Sequence, residues 1–163
     1  MRAIFKGAIA VCAAVTVLLV GSPAFADTRT PVPNKNFVVS GVTRAKFTNG
    51  SILWTGDKRA YASWSLLDAD SDGWCAKVWA IATYTTYYLS ATYHPTIERT
   101  DTSCNGLVEP GNSGWFNKYQ YCTSDGACSS GVYQYAAPDS VKIYVGRANG
   151  DRTLVGTFNN VEF

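Results

Sequence analysis

The chain has 163 residues, with 14 Lys or Arg against 12 Asp or Glu and one His. Its near balance lacks the clustered surplus of cations that phosphate binding requires, which argues against a nucleic-acid partner. The length fits one domain rather than several.

The first residues have the order of an export signal. Arg2 and Lys6 form a basic head, an apolar run follows from Gly7 to Val20, and Gly21, Ser22 and Pro23 break it before Ala24-Phe25-Ala26. A basic head, apolar middle and small-x-small exit mark a removable leader. The run is shorter than the roughly 20 apolar residues that span a bilayer, and Cys12 lies inside it rather than after it. Residues 1–26 are therefore expected to be cleaved, leaving an extracellular chain with no membrane association. Both leader charges are basic, so the mature chain carries twelve residues of each sign.

Residues 27–36 (DTRTPVPNKN) are polar, and Pro31 and Pro33 bias them away from helix. They are expected to be a flexible N-terminal arm, free or lying on a partner. Residues 37–163 form the expected single domain. There Val, Thr, Tyr, Trp and Ile dominate, with Gly, Asn, Asp and Pro as punctuation. Strands are predicted near 36–40, 42–48, 51–55, 59–67, 75–84, 86–94, 96–102, 115–122, 130–136, 140–146 and 153–162. Turns are predicted at Asn49-Gly50, Gly56-Asp57, Asp70–Gly73, Asn105-Gly106, Pro110–Gly114, Asp125-Gly126, Pro138-Asp139 and Asn149-Gly150. Ala60, Ala62, Trp64 and Leu66 alternate onto one face, as do Val141, Ile143 and Val145. The fold class is all-β: an antiparallel sandwich or small barrel.

Of five cysteines, Cys12 lies in the leader, so Cys75, Cys104, Cys122 and Cys128 remain. An even number in an exported chain implies disulfides. Four cysteines allow three connectivities. The short loop with Asp125-Gly126 favours Cys122–Cys128, and hence Cys75–Cys104.

Little in the chain carries chemistry. Asp68-Ala69-Asp70-Ser71-Asp72-Gly73 opens like a calcium loop, with carboxylates at positions 1, 3 and 5 and glycine at 6. Position 12, which needs a bidentate carboxylate, is Trp79, so the segment is expected to be a solvated acidic turn without metal. A zinc site lacks ligands. Glu98, Asp101, Glu109 and Glu162 show no spacing that pairs two of them for glycoside hydrolysis. His94 precedes Pro95, and no strained nucleophile turn accompanies it. No catalytic residue and no cofactor are expected.

The aromatic residues are more informative. If Cys122 faces Cys128, the hairpin running back from them sets Trp115, Tyr119, Tyr121, Tyr133 and Tyr135 on one face. That face is either core, with hydroxyls at its edge, or an exposed platform for sugars or protein. The run Thr83-Tyr84-Thr85-Thr86-Tyr87-Tyr88 offers a second such surface.

The Ala24-Phe25-Ala26 exit, the Trp74-Cys75-Ala76-Lys77-Val78-Trp79 strand, the four cysteines and the Val145-Gly146-Arg147 ending resemble the small exported proteins of actinobacteria. Among these the chain resembles the small linking subunits of umbrella toxin particles. That resemblance implies a compact β domain with an N-terminal arm, joining a large toxin subunit to lectin-like spokes, without catalysis. No motif aligns residue by residue, so no functional position carries over. The expected function is a secreted protein-binding module; carbohydrate binding through the aromatic face and protease inhibition through a braced loop (104–114 or 123–127) are the alternatives. N-terminal sequencing of the secreted protein should read from Asp27; a start elsewhere would move the boundary of the domain.

Overall fold

The computed structural model describes residues 27–104, 108–110 and 114–161; the leader expected at 1–26, the turn residues 105–106 and 111–113, and residue 162 lie outside them. The described chain is all-β and antiparallel, as the alternation implied. The first strands are β1 (Thr28–Val32), β2 (Lys35–Val39), β3 (Val42–Thr55), β4 (Arg59–Asp68) and β5 (Ala76–Tyr84). Then come β6 (Thr86–Tyr88), β7 (Ala91–Tyr93), β8 (Thr96–Ser103), β9 (Val108–Pro110), β10 (Gly114–Phe116) and β11 (Tyr119–Tyr121). One helical turn, α1 (Asp125–Ser129), precedes β12 (Gln134–Ala136), β13 (Pro138–Arg147) and β14 (Arg152–Asn159).

Two sheets make the sandwich. In the first, β3 pairs with β4; β1 and β2 lie end to end along the free side of β3, and β9 and β10 along that of β4. The second has the order β14-β13-β5-β8. Their inner faces share one core. Phe47, Ile52, Trp54, Trp64, Leu66 and Phe116 from the first sheet are buried with Val78, Tyr84, Val141, Ile143 and Val145 from the second. Between these large groups sit Ala60, Ala62, Ala76, Ala80 and Ala82, all buried. Small residues beside rings let facing layers interdigitate at crystal-like density. The indole N–H groups of Trp54 and Trp64 also find acceptors, as buried tryptophan requires. Trp54 Nε1 donates to Thr30 Oγ1 at 3.0 Å and Trp64 Nε1 to Asp101 Oδ2 at 3.3 Å.

The first of those bonds corrects the expectation for residues 27–36, which are not a flexible arm. Thr28–Val32 pair in register with Trp54–Gly50, and Lys35–Val39 pair with β3 as well. Val32 and Phe37 are buried. Thr30 satisfies the indole of Trp54, and Pro31 is tolerated because β1 is an edge strand, where a missing N–H breaks no ladder. Pro33 sits exposed in the link between β1 and β2.

Asn49-Gly50 is a second correction. Instead of turning, the chain runs on, and β3 carries one extra residue between Thr48↔Ser65 and Ser51↔Ser63. Asn49 takes φ 53°, the left-handed conformation that asparagine tolerates. A bulge shifts the parity of alternation. Without it Phe47 and Ile52, five positions apart, would face opposite sides; with it both enter the core. Gly50 must be glycine, because a Cβ there would lie 2.5 Å from Phe47 Cε1 and 2.7 Å from Val32 Cβ.

Both disulfides match the favoured pairing, Cys75–Cys104 and Cys122–Cys128. The first extends the β5–β8 ladder past Ala76↔Ser103. No helix among the described residues is long and apolar enough to cross a membrane. Gly50→Ala should lower stability by about 1–3 kcal/mol, the usual cost of overpacking a core. The measurement is a fall in urea midpoint at unchanged slope; an unchanged midpoint would mean that Phe47 and Val32 can give way.

Candidate binding site

The two ends of the sandwich differ. At one end lies the acidic turn after β4. Arg44 pairs with the Asp70 carboxylate, and Arg147 Nη2 stands 2.9 Å from Asp72 Oδ2, to which Arg44 also approaches at 3.6 Å. Asp72 Oδ1 accepts the backbone N–H of Trp74 at 2.9 Å. Two arginines thus claim Asp70 and Asp72, two of the three carboxylates that a calcium loop would aim at a cation, and the turn clamps β3 to the end of β13. Among the described residues no cluster of three or more His, Cys, Asp or Glu could hold a metal. A hollow of about 480 Å³ beside this turn is lined by Asp68, Asp70, exposed Trp74 and the Cys75–Cys104 bridge.

The other end is built of tyrosines. β5 leaves the core at Tyr84, and the predicted strand 86–94 splits there into a ribbon of β6 and β7. Leu89 and Ser90 at its tip have φ of 47° and 68°. Two successive left-handed residues make the hairpin turn that matches strand twist. For leucine this conformation is strained. It is held by the Leu89 N–H donating to the Thr123 carbonyl at 2.9 Å and by the Tyr88 phenol donating to Asp125. Leu89 nonetheless leaves 64% of its surface in solvent.

The facing ribbon departs from the expected hairpin. The Asp125-Gly126 segment is not a tight turn but the helical turn α1, whose N-cap Ser124 accepts the Ala127 N–H. Helical residues shorten that strand's approach, so pairing starts later: Tyr121↔Gln134, Gln120↔Tyr135 and Tyr119↔Ala136. Trp115 is not in this ribbon at all; β10 pairs with β4, setting Trp115 opposite Tyr61. The single face of Trp115, Tyr119, Tyr121, Tyr133 and Tyr135 is therefore dispersed. Trp115, although partly exposed, has Tyr61 4.8 Å and the Arg59 guanidinium 4.6 Å from its ring centre. Tyr119 packs on Tyr84 at 5.4 Å. Tyr135 is exposed beneath Lys118, 4.8 Å away, and Tyr133 is exposed.

Between the two ribbons opens a cleft of about 620 Å³. Tyr87, Tyr88 and Tyr93 line one side; Tyr119, Gln120, Tyr121 and the Cys122–Cys128 bridge line the other, with His94 and Pro95 completing it. Tyr87 and Tyr93 are each 51% exposed. A smaller hollow of about 260 Å³ adjoins it, sharing Tyr87 and Tyr121 and adding Lys58, Thr85 and Asp139. Of the sequence-selected residues, Tyr119 and Tyr121 reach the cleft; Tyr87 and Tyr88 come from the Thr/Tyr run. Tyr93 and His94 were missed as lining. The signal that pointed to them was the density of tyrosine over 84–93.

The polar groups here do not form a nucleophile–base pair. Thr85 Oγ1 donates its proton to Asp139 Oδ2 at 2.8 Å, leaving a lone pair toward His94 Nδ1 at 3.2 Å. In a catalytic triad the hydroxyl proton points at the imidazole; here it points at the carboxylate. Beneath the cleft, Tyr84 donates to the Asn117 carbonyl at 2.9 Å, and burial pushes its phenol up to about 12. At the rim the Asp125 carboxylate raises Tyr88, and Arg59 beside Asp57 lowers that carboxyl.

Comparison of the chain with protein-family models, with curated proteins and with solved structures finds no match to any of them.

Tyr84 sets a pH limit. Its folded value lies above the ordinary phenol value of 10, so its stabilisation is complete below about pH 10 and is lost as pH rises through about 12. Unfolding curves across that window should show stability falling with pH, and Tyr84→Phe should flatten the fall. An unchanged slope in the variant would assign alkaline unfolding to other groups.

Proposed function

We propose that this protein is a secreted, non-catalytic module that docks a protein partner at its tyrosine end, as a subunit of an extracellular assembly. One observation carries the reading: the large exposed side chains Tyr87, Leu89, Tyr93, Val132, Tyr133 and Tyr135 belong to the ribbons and loops around one open cleft. Monomers seldom gather apolar surface in this way without using it. Tyrosine is also the residue type that most often anchors protein interfaces, being apolar along its body and wet at its tip. The strained, exposed Leu89 supports the reading further, since strain retained at a surface tip points to use. Two disulfides suit an oxidising compartment, and the leader-like start of the chain suits export. The linking role in a toxin particle, implied by the resemblance, is one form this module takes.

Carbohydrate binding is the second reading, favoured by the half-exposed rings of Tyr87 and Tyr93 in a hollow large enough for sugar units. Protease inhibition has less support, because the braced loop 123–127 includes part of α1 instead of an extended segment.

Size-exclusion chromatography of native culture supernatant tests the proposal. The protein should elute within an assembly larger than itself, and a Tyr87→Ala, Tyr93→Ala double variant should elute alone while keeping its melting temperature. Elution of the unaltered protein as a monomer would overturn it. Retention on a glycan column, lost in the same variant, would install the second reading instead.

A further inference from the structure

The outer face of the second sheet carries positive charge that the fold leaves unpaired. Val141, Ile143 and Val145 enter the core, so Lys142, Tyr144 and Gly146 point outward. Register sets their neighbours. Tyr144 lies between Leu154 of β14 and Trp79 of β5, Gly146 between Arg152 and Lys77, and Lys142 between Thr157 and Ile81. The middle row is apolar, with cations in the rows on both sides of it. The face is open: Lys142, Arg152, Leu154 and Thr157 are all exposed.

Trp79 is only 6% exposed, although it stands on this outward face and outside the core cluster. Its cover is cationic. The Lys77 ammonium is 5.3 Å from its ring centre and the Arg152 guanidinium 5.4 Å, and Arg152 is also 4.6 Å from the ring centre of Tyr144. Gly146 permits this arrangement, because a Cβ there would run into the Asp151–Arg152 backbone. A ring holds a cation in place without neutralising it. Among the described residues the cations with carboxylate partners are Arg44, Arg59 and Arg147; no ion pair takes up Lys77, Lys142 or Arg152. Of the acids around the face, Asp151 accepts from Asn149 Nδ2 at 2.9 Å. Glu98 stands opposite Ile81 on the edge strand β8, about 10 Å from Lys142 across two strand spacings.

These features select among occupants. Trp79 is too well covered to stack on a sugar. A second copy laid face to face would set one positive surface against another. Three cations beside Glu98 fall short of the array that a nucleic-acid backbone needs. An apolar middle, with Leu154 46% exposed, between charged rows has the centre-and-rim layout of a protein interface. Strands of nine and ten residues at its centre give four strands a face of roughly 600 Å², at the lower end for specific interfaces. We infer that this face is a second docking surface, taking a patch of a partner protein that is apolar at its middle and acidic at its edges. It extends the docking reading and uses none of the cleft residues.

Titration followed by NMR, with a hexapeptide of two leucines between pairs of glutamates at about 20 mM salt, where surface charges are weakly screened, tests this. Saturable shifts are expected at the Trp79 indole and along β13 and β14. Arg152→Glu and Lys142→Glu should each weaken binding at least fivefold. Lys142 touches no ring, so its variant reads charge even if Arg152→Glu uncovers Trp79 and loses its fold. Lys46→Glu, which reverses an exposed cation on the other sheet, should change binding less than twofold. No saturable binding, or equal losses for Lys46→Glu and Lys142→Glu, overturns the inference. So does tighter binding of a galacturonate hexamer or of phosphatidylglycerol vesicles than of the peptide. The Tyr87→Ala, Tyr93→Ala variant should bind the peptide as the unaltered protein does. The cleft and this face therefore fail or stand separately: loss of the native assembly in the tyrosine variant reads the first, and the peptide reads the second.

Discussion

Large rings and small alanines share the space between the sheets, and the fit between them sets everything else. Trp54, Trp64, Phe47, Phe116 and Tyr84 are buried where Ala60, Ala62, Ala76, Ala80 and Ala82 leave room. Each ring brings roughly 1.5–3 kcal/mol of apolar burial. An interior with this much ring volume tolerates one registry only. The bulge at Asn49-Gly50, the edge strand β1 and the pairing of β10 with β4 are consequences: each brings a ring inward or satisfies its polar atom. Tyr84 carries that constraint outward. Its ring is core, its hydroxyl fixes Asn117, and its face receives Tyr119. The cleft is therefore mounted on the core by one side chain.

That mounting explains why two short ribbons form a defined site. Three-residue strands such as β6–β7 and β11–β12 are marginal alone. Here they are tied to each other through Leu89–Thr123 and Tyr88–Asp125, to the core through Tyr84, and across their far side by Cys122–Cys128. Recognition chemistry is placed on the least regular part of the molecule, with rigidity supplied from beneath it. The opposite end follows the reverse plan: Asp70 and Asp72 are neutralised by Arg44 and Arg147 and tie β3 to β13.

Much of the sandwich was legible. Alternation in 59–67 and 140–146 named the inward residues of β4 and β13, since period two is a local property. Cysteine parity and loop length gave both bridges. What was lost depends on distant partners. Residues 27–36 carry proline and polar groups that argue for an arm, and only the indole of Trp54 and the open edge of β3 make them strands. Asn49-Gly50 has the same local chemistry in a turn as in a bulge; the difference lies in whether Phe47 and Ile52 must share a face. The aromatic hairpin failed because Ser124 caps a helical turn where Asp125-Gly126 suggested a tight one, and the register moved with it. The cleft was half legible: Tyr87 and Tyr88 on one wall and Tyr119 and Tyr121 on the other were marked, but not Tyr93 and His94.

Both ends of the described chain emerge beside the cleft. Thr28 pairs with Trp54, and Asp27 lies within electrostatic reach of Arg59; Asn160 donates to the carbonyl of Pro138, and its own N–H meets that of Asp139. For anyone handling the protein this has a practical meaning. A dye or tether fixed at Asp27 or Asn160 would stand close to the tyrosines and compete for them. The Asn149-Gly150 turn, between β13 and β14 at the far end, is where a dye or an anchor can be fixed with the cleft left open to solution.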